Sequence, residues 1–254
     1  MALYLGSKKV AVTNTVEKQV PSMKAFFDAG GKCAYSTATS FEGCWQYDDT
    51  ANVKDMGSMF SYCSNLTTVP SFDTSKVTDM SNMFFYCSNI ANVPLFDTSN
   101  VKNMSNMFYY CSKLANVPLF DTSNVKKMGS MFSSCSNLTT VPSFDTSKVT
   151  DMGSMFSSCY NITTVPSFDT SNVTDMDYMF SYCKSLEEIH MININANLDI
   201  HHSTKFTREA LLEIIGNLKA QTSGTKTLTM GSTNLAKLTE EDKAIATNKG
   251  WTLA

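Results

Sequence analysis

The sequence predicts an α/β solenoid, with parallel strands on one face, short helices on the other, and a cap at each end. Three observations carry this. A 24-residue text, FDTSKVTDMSNMFFYCSNIANVPL at residues 72–95, returns from Phe96, Phe120, Phe144 and, decaying at its end, Phe168, after an earlier copy from Asp48. Such a fixed period marks units that cannot bury their apolar side alone and must stack on copies of themselves. Within each unit, apolar residues spaced as on a helix give way to spacing that fits a short strand. The two ends of the chain leave the pattern, as terminal units of stacked arrays do.

Residues 1–48 form the first region. LYL, GSKK and VAVT read as a short β-hairpin bent at Gly6-Ser7. After Pro21-Ser22, the stretch MKAFFDA places Met23, Phe26 and Phe27 on one helical face, with Gly30-Gly31 as its stop. This helix would hide the open end of the first repeat. Residues 33–48, with Phe41, Trp45 and Tyr47, look like a degraded half repeat.

Residues 49–189 hold six copies. Aspartates recur at Asp49, Asp73, Asp97, Asp121, Asp145 and Asp169, and cysteines at Cys63, Cys87, Cys111, Cys135, Cys159 and Cys183. Val77, Met80, Met83, Phe84 and Cys87 fall on one side of a short helix, and Ser81, Asn82 and Phe85 on the other. Thr78 followed by Asp79 offers an N-cap and a first-turn acid, with Ser75 as the alternative cap. Ile90, Val93 and Phe96 then suggest a strand, kept brief by Pro94, which has no N–H to give a ladder.

Residues 190–254 form the closing region. Leu186, Ile189, Met191 and Ile194 lead into it as a longer strand-bearing unit. Thr207 caps a helix over REALLEIIGNL that turns Ala210, Leu211, Ile214, Ile215 and Leu218 inward. TLTM reads as a strand, Thr239 with Asp242 as a capping box for EEDKAIATNK, and WTLA as a last strand closed by Trp251.

Strand, turn and helix in 24 residues is the build of a leucine-rich-repeat solenoid. Over residues 49–189 the recurring Asp-Thr-Ser, Val-Thr-x-Met, Met-Phe and Cys-x-x-Leu elements resemble the repeat of the BspA-type leucine-rich-repeat proteins, bacterial surface proteins also found in some protozoa. The resemblance implies a curved, non-catalytic array that binds other proteins or host surfaces.

Composition narrows the function. A net charge of −3 provides no broad basic surface for nucleic acid. The longest apolar runs fall far short of a membrane span of roughly 20 residues, so no membrane insertion is expected. MALYLGSKKVAVT does not read as a signal peptide. Either the chain is used without the general secretory route or a signal has been removed from it. The expected location is still extracellular, on a cell surface or on a phage particle.

Eight cysteines suggest disulfides until their positions are considered. Six share one place in the buried pattern, where stacked reduced thiols serve as small apolar filler, which leaves Cys33 and Cys44 as the better candidate pair. The aspartate row would be self-repelling at about 5 Å spacing. Asx-turns, such as Asp73 accepting from the N–H of Ser75, would offset that; a row of calcium sites is the competing reading. His190, His201 and His202 lack Cys or Glu partners at metal spacing, and the adjacent rings of His201 and His202 should diverge on a strand. No Gly-x-Ser-x-Gly, Walker or dinucleotide glycine pattern occurs. The expectation is a protein that is not an enzyme and needs neither cofactor nor metal.

Variation among copies marks the candidate ligand-binding residues. After the constant Phe, the second and third copies carry Phe85-Tyr86 and Tyr109-Tyr110, where the others carry Ser61-Tyr62, Ser133-Ser134, Ser157-Ser158 and Ser181-Tyr182. The same copies place Ala91, Asn92 and Leu95, then Ala115, Asn116 and Leu119, on the strand side, near Lys102, Lys113, Lys126 and Lys127. Either these residues form a recognition patch, or one divergent repeat was duplicated with its residues. The leading expectation is an adhesion module recognising a protein or glycan on a cell surface. The alternative is a phage or prophage tail subunit, since LYLGSKKVAVT is similar to short hairpins that open some phage tail-associated proteins.

Overall fold

A computed structural model describes β1 (Leu3–Leu5), β2 (Lys8–Val10) and residues 50–254 apart from Pro70. β1 and β2 pair antiparallel, Leu3 opposite Val10, as the hairpin reading requires. The expected helix over MKAFFDA, the half repeat at 33–48, and Asp49, Cys33 and Cys44 lie outside the described residues.

From residue 50 onward the chain winds into coils that lie on one another in register. Parallel bridges link Asp55, Asp79, Asn103, Lys127, Asp151 and Asp175 in succession, each 24 residues after the last. The columns this creates are dry. Val77, Met80, Met83, Phe84, Cys87 and Ile90 are fully buried with their counterparts in later coils. Phe84, Phe108, Phe132, Phe156 and Phe180 stack ring over ring at 5.5 to 6.0 Å. The molecule is α/β, with short strands and short helices.

The helices are not where the spacing of the repeats placed them. Among the described residues of 50–189 there is no helix. The segment from Met80 to Cys87 is a run of linked turns in which alternate amides face different ways. The N–H groups of Met83, Phe85 and Cys87 donate to carbonyls three residues back, on Met80, Asn82 and Phe84. Those of Met80, Asn82, Phe84 and Tyr86 donate across to the next coil, on Asn103, Ser105, Met107 and Tyr109. Backbone donors are thus used within and between coils, which a helix, with its bonds all internal, could not do. The arrangement needs a left-handed residue at every fourth place, here Asn82 (φ 57°) and Tyr86 (φ 61°).

The strand expectation is corrected in the same way. The continuous bridging column passes through Asp79, inside the stretch read as helical. Among the described residues, the Ile90–Phe96 column becomes a two-residue strand pair where β3 (Thr164–Val165) runs parallel to β4 (Glu188–Ile189). Asp79 is not a first-turn helix acid. Its Oδ1 accepts from the N–H of Ser81 at 2.7 Å and closes an Asx-turn.

Two further rows bind the coils. Each buried threonine after the row aspartate donates Oγ1 to the following coil, Thr74 to the Asp97 carbonyl, Thr98 to Asp121 and Thr122 to Asp145, all at 2.8 Å. Each buried thiol reaches back, Cys87 Sγ to the Phe60 carbonyl at 3.0 Å and Cys111 Sγ to Phe84 at 3.1 Å. These five are free thiols, and burial pushes Cys87 and Cys183 up to about 12 and the three between them well above their ordinary value. Cys63 departs from the expected reduced row: it is disulfide-bonded to a partner outside the described residues. In the sequence it opens the row, since Thr39 stands 24 residues before it.

The closing region follows its sequence reading closely. β5 (Leu198–Asp199), β6 (Lys226–Thr229) and β7 (Trp251–Leu253) form a parallel sheet in that order. α1 (Arg208–Gly216) is capped by Thr207, whose Oγ1 accepts from the N–H of Ala210, and it buries Leu211, Ile214 and Ile215. α2 (Gly231–Leu235) is a single short turn of helix that the sequence did not announce. α3 (Glu240–Asn248) has the expected capping box between Thr239 and Asp242. Arg208 fixes α1 to α3 through a two-pronged contact with Asp242, Nε to Oδ2 at 2.8 Å and an Nη to Oδ1 at 2.6 Å. Trp251 is buried and donates Nε1–H to the Lys219 carbonyl.

Candidate functional site

The turns that replace the expected helix decide where the variable aromatics go. A left-handed residue at Tyr86 or Tyr110 swings its side chain off the buried column and over the edge of the coil. Register does the rest, because the same turn recurs directly above. Tyr62 stacks on Tyr86 at 5.4 Å and 19°, and Tyr86 on Tyr110 at 4.7 Å and 17°. One residue earlier, Phe85 stacks on Tyr109 at 4.9 Å and 18°. Cross-contacts join the two files, Phe85 to Tyr86 at 4.9 Å and Tyr86 to Tyr109 at 5.6 Å. The outcome is a two-file aromatic ridge. Its end rings are open to solvent, Tyr62 at 60% and Tyr110 at 44% exposure, and the middle is half-buried by its own neighbours.

Burial of Tyr86, followed by the charges its neighbours Tyr109, Tyr62 and Tyr110 would carry, pushes its phenol above the ordinary value. The Tyr86 hydroxyl is therefore held neutral, and the ridge presents ring edges along its length. Tyr62 belongs to it although sequence comparison had singled out only the second and third copies; its place in the column was the signal that could have included it. Asn92, Leu95, Asn116 and Leu119 sit on the later arc of the coil, exposed and one coil apart in pairs, with Leu95 at 65% and Leu119 at 63%.

The other candidate groups are engaged structurally. Asp73, Asp97, Asp121, Asp145 and Asp169 each accept through Oδ1 from the N–H two residues on, at 2.9 to 3.1 Å. Hydrogen bonds from Ser75, Ser123 and Ser147 hold the Asp73, Asp121 and Asp145 carboxyls below their usual range. A second file of carboxylates, at Asp151 and Asp175, lines an open groove of about 430 Å³ with Asp177 and Tyr178. Gly129 also lines it, and a Cβ there would come within 2.9 Å of the Asp151 carboxylate. Asp151 and Asp175 close turns of their own, accepting from the N–H groups of Gly153 and Asp177.

The histidines have partners the sequence did not reveal. His190 Nδ1 lies 2.8 Å from Glu213 of α1, and its Nε2 lies 3.6 Å from Glu188. His201 bonds Asp199 at 2.6 Å. The adjacent rings of His201 and His202 do not diverge; they meet at 3.8 Å, because the pair sits in a turn rather than on a strand. His202 also packs on Tyr182 at 4.3 Å.

These features define a repeat protein whose coils bury one invariant set of columns and expose another that varies. The family described as "Mycoplasma protein of unknown function, DUF285" matches residues 32–143 and again 112–210, more than half of the chain, and the protein belongs to it. Among solved structures it is similar to the T. pallidum leucine-rich-repeat protein, at 18% identity and a TM-score of 0.45, over 74% of this chain and 84% of that one. No curated protein matches it.

Proposed function

We propose that this protein is a leucine-rich-repeat-type solenoid of the BspA kind and works as a non-catalytic binding module. It recognises a protein or glycan on a cell surface through the aromatic ridge, from an extracellular position. The carrying observation is the ridge itself: five rings gathered at the surface where they fill no core, in columns where the fourth and fifth copies carry only serines. Exposed apolar clusters rimmed by polar groups are typical contact sites, and Tyr is enriched in them. The ordered polar groups elsewhere are spent on turns, which favours adhesion over catalysis.

The experiment is a glycan and host-surface-protein binding screen with the wild type and the Phe85→Ser/Tyr109→Ser double variant. Serine is native at this column in Ser61, Ser133, Ser157 and Ser181, so the variant keeps its fold. A loss of at least tenfold in capture is expected; unaltered capture rejects the ridge.

A further inference from the structure

The rings of the ridge spend their faces on each other. A stacked file offers edges along its length and an open face only at its ends. One such end is Tyr110, backed by Tyr86 at 4.7 Å and followed in its column by Ser134. Beyond Ser134 come Ser158 and then Tyr182, where the aromatic returns. Tyr182 is also backed from behind, by the His202 ring of the next coil at 4.3 Å. All four column residues share the left-handed turn: Tyr110 (φ 60°), Ser134 (φ 63°), Ser158 (φ 60°) and Tyr182 (φ 61°). Their side chains therefore leave the coils in the same direction. Tyr110 and Tyr182, 44% and 49% exposed, face one another across a floor of two serines like the ends of a shelf.

The width of the shelf limits what fits. Three coil steps of about 5 Å place the rings roughly 15 Å apart. A single flat ring sandwiched by both would need a separation of only about 8 Å, so one sugar cannot touch both ends. Two flat groups, one packed about 3.7 Å from each tyrosine, would stand about 7 Å from each other. That is the spacing of side chains i and i+2 on an extended strand, which share one face. Charge adds a second constraint. Lys113 follows Tyr110 and Lys184 follows Tyr182, both exposed, and no Asp or Glu occurs in residues 109–113, 133–137, 157–161 or 181–185.

We propose that this shelf binds an extended segment of a partner protein, with aromatic side chains at i and i+2 packed on Tyr110 and Tyr182 and flanking carboxylates met by Lys113 and Lys184. The proposal rests on the binding-module reading and deepens it, giving the partner its chemistry.

The test uses the full chain and three capped peptides in titrations followed by NMR: Glu-Trp-Ser-Trp-Glu, the single-aromatic Glu-Trp-Ser-Ser-Glu, and Lys-Trp-Ser-Trp-Lys. The first should bind at least tenfold more tightly than either of the others. Tyr110→Ser and Tyr182→Ser should each weaken it about tenfold. The decisive variant is Ser134→Tyr/Ser158→Tyr, which continues the aromatic file with the residue native to that column in other coils and so keeps the fold while filling the shelf. It should abolish binding. Failure of the first peptide to bind, equal binding of all three, or binding that survives the filled shelf overturns the proposal. A glycan signal lost on filling the shelf, with no peptide bound, assigns the shelf to carbohydrate and overturns it as well. Ligand capture lost in the Phe85/Tyr109 double variant but kept in the filled-shelf variant leaves the binding-module reading standing and removes the shelf alone.

Discussion

At the scale of single residues, the repeat is governed by two positions per coil that sit at positive φ without being glycine. Ser130 (φ 55°) and Ser134 (φ 63°) are one such pair, and the same columns hold Asn82, Asn106, Tyr86 and Tyr110. Left-handed backbone costs a side-chain-bearing residue roughly 1 to 2 kcal/mol, less for Asn, and most for a β-branched one. Ser130→Gly should therefore raise the melting temperature by a few degrees and Ser130→Val should lower it by more, as thermal unfolding would show. These columns also explain the misplaced helix. Buried residues at Met80, Met83, Phe84 and Cys87 have the i, i+3, i+4, i+7 spacing of a helical face, but linked four-residue turns produce the same spacing. Asn and Ser in the first left-handed column hinted at turns, while Tyr in the second concealed them. The row aspartates were legible because Asp-Thr-Ser carries its own turn chemistry. Since Asp73, Asp121 and Asp145 have folded pKa values below the unfolded value near 3.9, their contribution is complete above about pH 4. It is lost as pH falls through the folded values. Asp121→Asn keeps the acceptor and removes the titration, so its denaturation midpoint should fall less between pH 6 and pH 3 than that of the wild type.

At the scale of elements, the coils are held by rows of identical bonds, and the closing region by individual ones. The threonine row was not legible, because nothing in Asp-Thr-Ser distinguishes a hydroxyl facing water from one donating to the next coil. Thr122→Val keeps the shape and removes the donor to Asp145, leaving a carbonyl without that partner; a loss of about 1 to 2 kcal/mol in urea denaturation is expected. In the closing region, cap residues made α1 and α3 legible to within two residues, whereas the contact of His190, just after β4, with α1 needed coordinates. The hydrogen bond that His190 donates to the Glu213 carboxylate, aided by Glu188, raises the His190 pKa above its ordinary value. That stabilisation is fully present below about pH 6.5 and disappears as pH rises through the folded pKa. Half-exposed as the pair is, screening holds the effect to no more than about 1 kcal/mol. His190→Gln should flatten the decline in stability between pH 6 and pH 8 that the wild type shows.

At the scale of the whole molecule, stability should count coils, because each one touches only its neighbours and every interface repeats the same bonds. Removing residues 121–144 joins Phe120 to Asp145 and restores the Phe-Asp-Thr-Ser text across the junction. The Phe, Met and Cys columns then close over the gap in register. This variant should remain folded and unfold cooperatively, with a denaturant slope lower by roughly a tenth, in line with the surface lost. Removing residues 121–132 instead joins Phe120 to Ser133 and shifts every later column by half a coil, setting buried Met104 and Met107 against exposed Thr140 and Ser143, and buried Met152 and Met155 against exposed Asn116 and Leu119. It should lose the cooperative transition. Equal stability of the two deletions would mean that register along the stack is not what holds the chain together. The full-coil deletion also reaches the binding shelf. It takes Ser134 away and brings Tyr110 and Tyr182 to two coil steps, about 10 Å, too close for two flat side chains one strand period apart. The shortened protein should stay folded yet release the double-tryptophan peptide, as the same NMR titration would show, which ties the span of the stack to the spacing of what it holds.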